Sequence, residues 1–144
     1  MSTYTTLKTR QEKEFNDFPM FFAFSNKQLE EGMKKIGLEL TDTDKIYSAG
    51  GGGYYKKTDA IKLKDLLCRH TNEKNEAIKA DSTGEGFIFD MFDYELSNHE
   101  YCITMDPEPT MDALGISQDD INKSEALQAG LKLAKSNQWD EENC

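Results

Sequence analysis

Phe87-Ile88-Phe89-Asp90-Met91-Phe92-Asp93-Tyr94-Glu95-Leu96-Ser97-Asn98 decides the fold class. A half-buried strand would alternate apolar and polar residues. Here Phe87, Met91 and Tyr94 fall on one helical face, and Ile88, Phe92 and Leu96 on the adjoining one. A stripe that wide suits a helix buried in a core. Asp90 and Asp93, at i and i+3, are expected to share the opposite face. With this segment helical, the chain reads as α+β and mainly α-helical. The reading is a single domain over residues 1–138, with about five or six helices and a minor β-hairpin, followed by a frayed acidic tail over 139–144.

Upstream, Ser82-Thr83-Gly84-Glu85-Gly86 breaks a long helix that Thr58 or Asp59 caps. Ile61, Leu63, Leu66, Leu67 and Ile78 are expected on its apolar side. Before it, Lys45-Ile46-Tyr47-Ser48-Ala49 and Tyr54-Tyr55-Lys56-Lys57 flank Gly50-Gly51-Gly52-Gly53, the pattern of a hairpin. Leu29, Met33 and Ile36 mark a helix capped by Ser25 or Asn26 and stopped by Gly37. Met20-Phe21-Phe22-Ala23-Phe24 has the length of a strand, and a polar helix over Thr6 to Asp17 precedes Pro19. Downstream, Tyr101-Cys102-Ile103-Thr104 reads as a short strand and Pro107 and Pro109 as a rigid connection. Ser117 and Ser124 read as N-caps, the second opening a helix with Leu127, Leu131 and Leu133.

The chain has 144 residues, 27 acidic and 17 basic, for a net charge of −10. Between Lys79 and Lys123 there is no Lys or Arg. That interval holds Asp81, Glu85, Asp90, Asp93, Glu95, Glu100, Asp106, Glu108, Asp112, Asp119 and Asp120. The negative charge therefore belongs to one block. Such a field attracts basic protein surfaces and repels nucleic acid and anionic membranes. The first eight residues lack the apolar region of a signal peptide, and no stretch approaches the length that spans a bilayer. Three cysteines without a secretion signal suggest free thiols and a cytoplasmic location.

Three groups of residues are candidates for a site. Asp90, Asp93, Asp112, Asp119 and Asp120 are the candidate partner-binding residues. Duplex DNA carries one charge per roughly 1.7 Å of axis, and a groove built for it would accept carboxylates at similar spacing. The plain alternative is a solvated face. Gly51, Gly52, Tyr54, Lys56 and Lys57 form the second group: backbone amides to cradle an anion and ammonium groups to neutralise it. The spacing fits neither a phosphate-binding P-loop nor a dinucleotide fingerprint, and the alternative is a mobile hairpin tip. The third group is Cys68, His70, His99 and Cys102, a possible zinc set. Cys68 and His70, at i and i+2, point to different helical faces. The alternative makes Cys68 a small core residue and leaves His70 exposed. No catalytic residue is assigned: Asp81-Ser82-Thr83-Gly84 has one residue too many for an aspartic-protease motif, and no Gly-x-Ser-x-Gly is present. No cofactor is expected.

Asn16-Asp17-Phe18-Pro19-Met20-Phe21-Phe22-Ala23-Phe24, Glu31-Gly32-Met33-Lys34-Lys35, Gly50 to Tyr55, Gly84 to Phe92 and Tyr94 to Tyr101 resemble a family of small uncharacterised acidic proteins. These belong to Gram-positive gut bacteria, their phages and mobile elements. The resemblance carries no catalytic residue. It implies a short product of mobile DNA that inhibits or redirects host machinery. The expectation is a non-enzymatic interaction module that docks on a basic surface of a nucleic-acid-handling host protein, an anti-CRISPR-type inhibitor being its sharpest form. Direct nucleic-acid or membrane binding is not expected, and the aromatic content leaves a homodimer open.

Overall fold

The computed structural model describes Thr3 to Asp140. Its elements are α1 (Thr3–Asn16), β1 (Met20–Phe22), α2 (Asn26–Lys35), β2 (Ile46–Gly50), β3 (Gly53–Lys56), α3 (Ala60–Ala80), α4 (Phe87–Asn98), α5 (Tyr101–Thr104), α6 (Glu108–Leu114), α7 (Gln118–Asn122) and α8 (Glu125–Asp140). Tight 3-10 turns occupy Leu40–Lys45 and Lys57–Asp59. The chain is α+β and mainly helical, with one small antiparallel sheet. It divides into two compact units. A helical unit takes the residues up to Thr9 and those from Glu73 onward, and a sheet unit takes Arg10–Asn72. Of the expected tail over 139–144, Trp139 and Asp140 belong to α8, and 141–144 lie outside the described residues.

In the helical unit, α4 is the buried element its stripe demands. Ile88, Met91, Phe92 and Leu96 are fully shielded from water. Burying a side chain of this size stabilises by roughly 1.5–3 kcal/mol. Leu127, Leu131 and Ala134 of α8 pack against α4, and Tyr4 of α1 joins the same cluster. Two glycines permit this approach. A Cβ on Gly130 would stand 2.4 Å from Ile88 Cγ2, and one on Gly84 would stand 2.0 Å from the Ala126 carbonyl oxygen. Asp81 organises the entry to α4: its carboxylate accepts from the N–H groups of Gly84 (3.0 Å), Gly86 (3.1 Å) and Ile88 (3.0 Å). Burial raises the pKa of Asp81, but those bonds outweigh it and hold the carboxyl below its ordinary range.

Tyr101–Thr104 is a helical turn and not the expected strand. Glu100 and Met105 are both left-handed (φ 58° each) and reverse the chain at either end. The Met105 N–H closes the turn on the Tyr101 carbonyl at 2.7 Å. Four residues with buried Tyr101 satisfy either pattern, so periodicity alone does not separate them. The Pro107–Pro109 connection opens α6, where proline loses no helical hydrogen bond. Ser117 and Ser124 are N-caps, accepting from the N–H groups of Asp120 and Leu127 at 3.1 Å each.

In the sheet unit the strand order is β1-β3-β2, with Met20 opposite Tyr55 and Tyr47 opposite Tyr55 on the other side. Phe21, Ala23 and Met33 form its small core. Ser25 caps α2, and Gly32 lets α2 lie on the Phe21 ring, which a Cβ there would meet at 2.0 Å. On α3 Leu63 is buried, but Ile61 and Leu67 are 75% and 47% exposed, against expectation. Ile61 precedes Leu63 by two residues, about 200° round the helix, so both cannot be covered from one side. Among the described residues no helix is long and apolar enough to cross a membrane.

Candidate functional site

The acidic block runs from the loop before α4 to α7 of the helical unit, and its members have different tasks. Asp93 is half-buried and accepts from Asn137 Nδ2 (2.8 Å) and Gln138 Nε2 (2.9 Å), pinning α8 to α4. It is therefore not one of a free pair with Asp90, which is itself half-buried. Asp120 closes a capping box, accepting from the Ser117 N–H at 2.9 Å while its own N–H donates to the Ser117 hydroxyl. Those bonds to Ser117 hold its carboxyl below the ordinary range. Asp106 Oδ1 likewise accepts from the Glu108 N–H at 3.0 Å at the entry to α6, whereas Glu100, Glu108, Asp112 and Asp119 are different. They are exposed, and none forms an ion pair among the described residues.

Glu95 is a buried acid that charge counting places on the surface. It is only 4% exposed. The Tyr4 hydroxyl donates to its Oε2 at 3.0 Å, and Lys8 Nζ lies 3.6 Å from the same oxygen. Its Oε1 is buried without a hydrogen-bond partner among the described residues. Lys74 Nζ donates to the Leu114 carbonyl. Burial lowers the Lys74 pKa, Glu95 opposes that shift, and Lys8 adds to it. A sequence signal existed: Glu95 sits between Met91, Phe92 and Leu96 on the buried stripe, where an acid needs partners.

The glycine run builds the hairpin. Gly51 (φ 57°) and Gly52 (φ 83°) are the two turn residues, both in the left-handed region that tight hairpins require. A Cβ on Gly52 would also meet the Phe24 ring at 2.5 Å, so that exposed ring would have to swing aside. Its carbonyl accepts from the Ala23 N–H at 2.9 Å, continuing the sheet towards β1. Tyr54 stacks on Phe21, and Lys57 Nζ lies 5.0 Å from the centre of the Tyr47 ring. Lys56 pairs with Ile46 across the ladder. Each member of the proposed anion cradle thus has a place in the sheet or on its rim.

Of the possible zinc set, Cys68 and His70 lie on α3 in the sheet unit, and His99 and Cys102 in the helical unit. The expected burial is reversed: Cys68 is exposed, whereas the His70 side chain is only 12% exposed. His70 Nε2 lies 3.7 Å from Glu14 Oε1 and has no hydrogen-bond partner among the described residues. Glu14 also meets the Arg69 guanidinium, and Arg10 at 2.6 Å. The bond from Arg69 is the chief reason its pKa falls to about 2. A carboxylate held so low is a poor proton acceptor near neutrality. Beside it a cleft of about 670 Å³ is lined by Asp17, Phe18, Asp59, Asp65 and Leu66. Its charges are mixed, and Glu14 at its edge is already paired with two arginines.

Residues 3–137 match the model of a family described as Family of unknown function (DUF7659). The chain belongs to the DUF7659 family. No curated protein and no solved structure matches it. The DUF7659 match covers both units, so the acidic helices and the glycine hairpin both fall inside the family's span.

Proposed function

We propose that this protein is a non-enzymatic interaction module whose acidic surface, on α6, α7 and the turn before α5, binds a basic surface of a nucleic-acid-handling protein. The observation that supports it is the set Glu100, Glu108, Asp112 and Asp119, exposed and without ion-pair partners among the described residues. Exposed carboxylates act strongly only within about 8 Å at physiological salt, so the partner's cations must come into contact with them. Asp93 and Asp120 leave the binding set because their oxygens are engaged in holding helices. In its sharpest form the module is an anti-defence inhibitor of mobile-element origin that works in the cytoplasm and occludes a guide- or target-binding channel.

The test is capture from nuclease-treated host lysate with tagged protein, followed by competition. The reading expects a basic partner that duplex DNA or guide RNA displaces from the wild type. Capture of a partner that excess nucleic acid leaves in place contradicts the mimicry, because both ligands would then occupy different surfaces.

A further inference from the structure

The two faces of the small sheet differ. Phe21, Tyr54 and Ile46 belong to the core cluster that Leu29 and Met33 of α2 complete. Residues directly opposite in an antiparallel ladder share a face, and successive residues alternate between faces. Met20, Tyr55 and Tyr47, with Phe22 and Gly53 next to them in the ladders, therefore stand on the face away from α2. There Phe22 is 57% and Tyr47 46% exposed. The Tyr47 and Tyr55 rings are 5.9 Å apart between centres, and Gly53 leaves room for the Phe22 ring, which a Cβ there would meet at 3.1 Å. All three strands thus contribute an aromatic ring to one face.

Charge singles out the same element. Residues 18–29 and 45–58, which hold the three strands and the hairpin, contain Lys27, Lys45, Lys56 and Lys57 but no Asp or Glu. Lys45 is paired with Asp42, whereas Lys27, Lys56 and Lys57 form no ion pair among the described residues. Lys57 Nζ lies 5.0 Å from the centre of the Tyr47 ring. Exposed rings with an unpaired ammonium group beside them complement a ligand that has flat apolar faces and a negative backbone.

We infer that this face binds single-stranded nucleic acid, with bases stacked on Phe22, Tyr55 and Tyr47 and a phosphate drawn to Lys57. Every base has a π-face, so such a surface needs no particular sequence, but it needs bases that are not already stacked in a duplex. The net charge of −10 opposes a polyanion, yet exposed charges are screened beyond about 8 Å and the sheet unit by itself carries +1. The acidic surface belongs to the other unit, and neither site requires the other.

The experiment titrates a fluorescein-labelled oligothymidylate strand with the purified full chain at low salt and follows its anisotropy. Saturable binding that weakens with added salt is expected, with a duplex of equal length a poor competitor. Tyr47→Ala and Phe22→Ala should each weaken binding by about fivefold or more, the loss of one stacked base, while Tyr47→Phe keeps the ring and the affinity. Lys57→Ala should reduce the slope of log affinity against log salt by about 0.7, one phosphate contact. All three positions are exposed, and circular dichroism checks the fold of each variant. No binding at low salt overturns the inference. So does a duplex that competes equally, or unchanged affinity in both alanine variants at Tyr47 and Phe22. Self-association that Tyr47→Ala abolishes, with no strand bound, would assign the face to a second copy and overturn it too. Only the chain and the probe are present, so failure here leaves the proposed partner of the acidic surface untouched.

Discussion

The two units spend their charge in opposite ways. The sheet unit, Arg10–Asn72, has 10 acidic and 11 basic residues, a net charge of +1. The remainder has 17 acidic and 6 basic residues, a net charge of −11. In the sheet unit the signs are intermixed: Arg10 and Arg69 meet Glu14, Lys13 meets Asp17, Lys34 meets Glu30 and Lys45 meets Asp42. In the helical unit, Lys8 is drawn inward to Glu95, while Glu100, Glu108, Asp112 and Asp119 form no ion pair among the described residues. The units differ as strongly in their interiors. Among the described residues, the helical core cluster holds 14 buried residues and the sheet cluster 3. A large core tolerates the self-repulsion of an unpaired acidic surface, which costs stability, whereas a small one has little to offset it.

The largest effect should come from that core. Phe92→Ala removes a fully buried ring and should cost about 3–5 kcal/mol, read as a fall in the urea midpoint. A loss below about 1 kcal/mol would mean that α4 is not the centre of the unit. In the sheet unit the sharpest change is Gly52→Ala. It combines a left-handed backbone with a collision against Phe24 and should cost about 1–3 kcal/mol. Gly37→Ala is its control, because Gly37 is also left-handed (φ 81°) but has open space around it. Equal losses at the two sites would show that the Phe24 contact is unimportant. Ser117→Ala should cost about 1 kcal/mol through loss of the α7 cap.

The smallest effect concerns pH. The Glu14 pKa is lowered from 4.5 to about 2, so its pairing contributes fully above the ordinary value and is lost as pH falls through about 2. Glu14→Gln should therefore lower stability modestly above the ordinary value, as expected for a largely solvent-screened pair, and by progressively less as pH falls towards about 2, which flattens the acid limb. An unchanged acid limb would contradict the pairing with Arg69 and Arg10.

The helices with long stripes were legible from residue type alone, and so were the caps at Ser25, Ser117 and Ser124. Paired positive-φ glycines made the hairpin legible too, although its third strand came from Met20–Phe22, far away in sequence. What sequence could not supply was the partner of each polar group. Asp93 looks as free as Asp119 until α8 brings Asn137 and Gln138 to it. Cys68 and His70 show the same limit, since two positions on α3 exchange places in burial once neighbouring elements are present. The charge block was visible as composition, but its division into structural and unpaired carboxylates depends on three-dimensional contacts.

On the proposed function, location and not total charge makes the acids of the helical unit a binding surface. Two variants with the same change in net charge test it: Asp112→Lys/Asp119→Lys on α6 and α7, and Glu31→Lys/Asp44→Lys in the sheet unit. All four residues are exposed, and neither pair should alter stability by more than about 0.5 kcal/mol per site. Quantitative capture of the basic partner by wild type and both variants is the measurement. The account predicts retention by the wild type and by Glu31→Lys/Asp44→Lys, with loss by Asp112→Lys/Asp119→Lys. Equal retention by both variants, or equal loss, would contradict it.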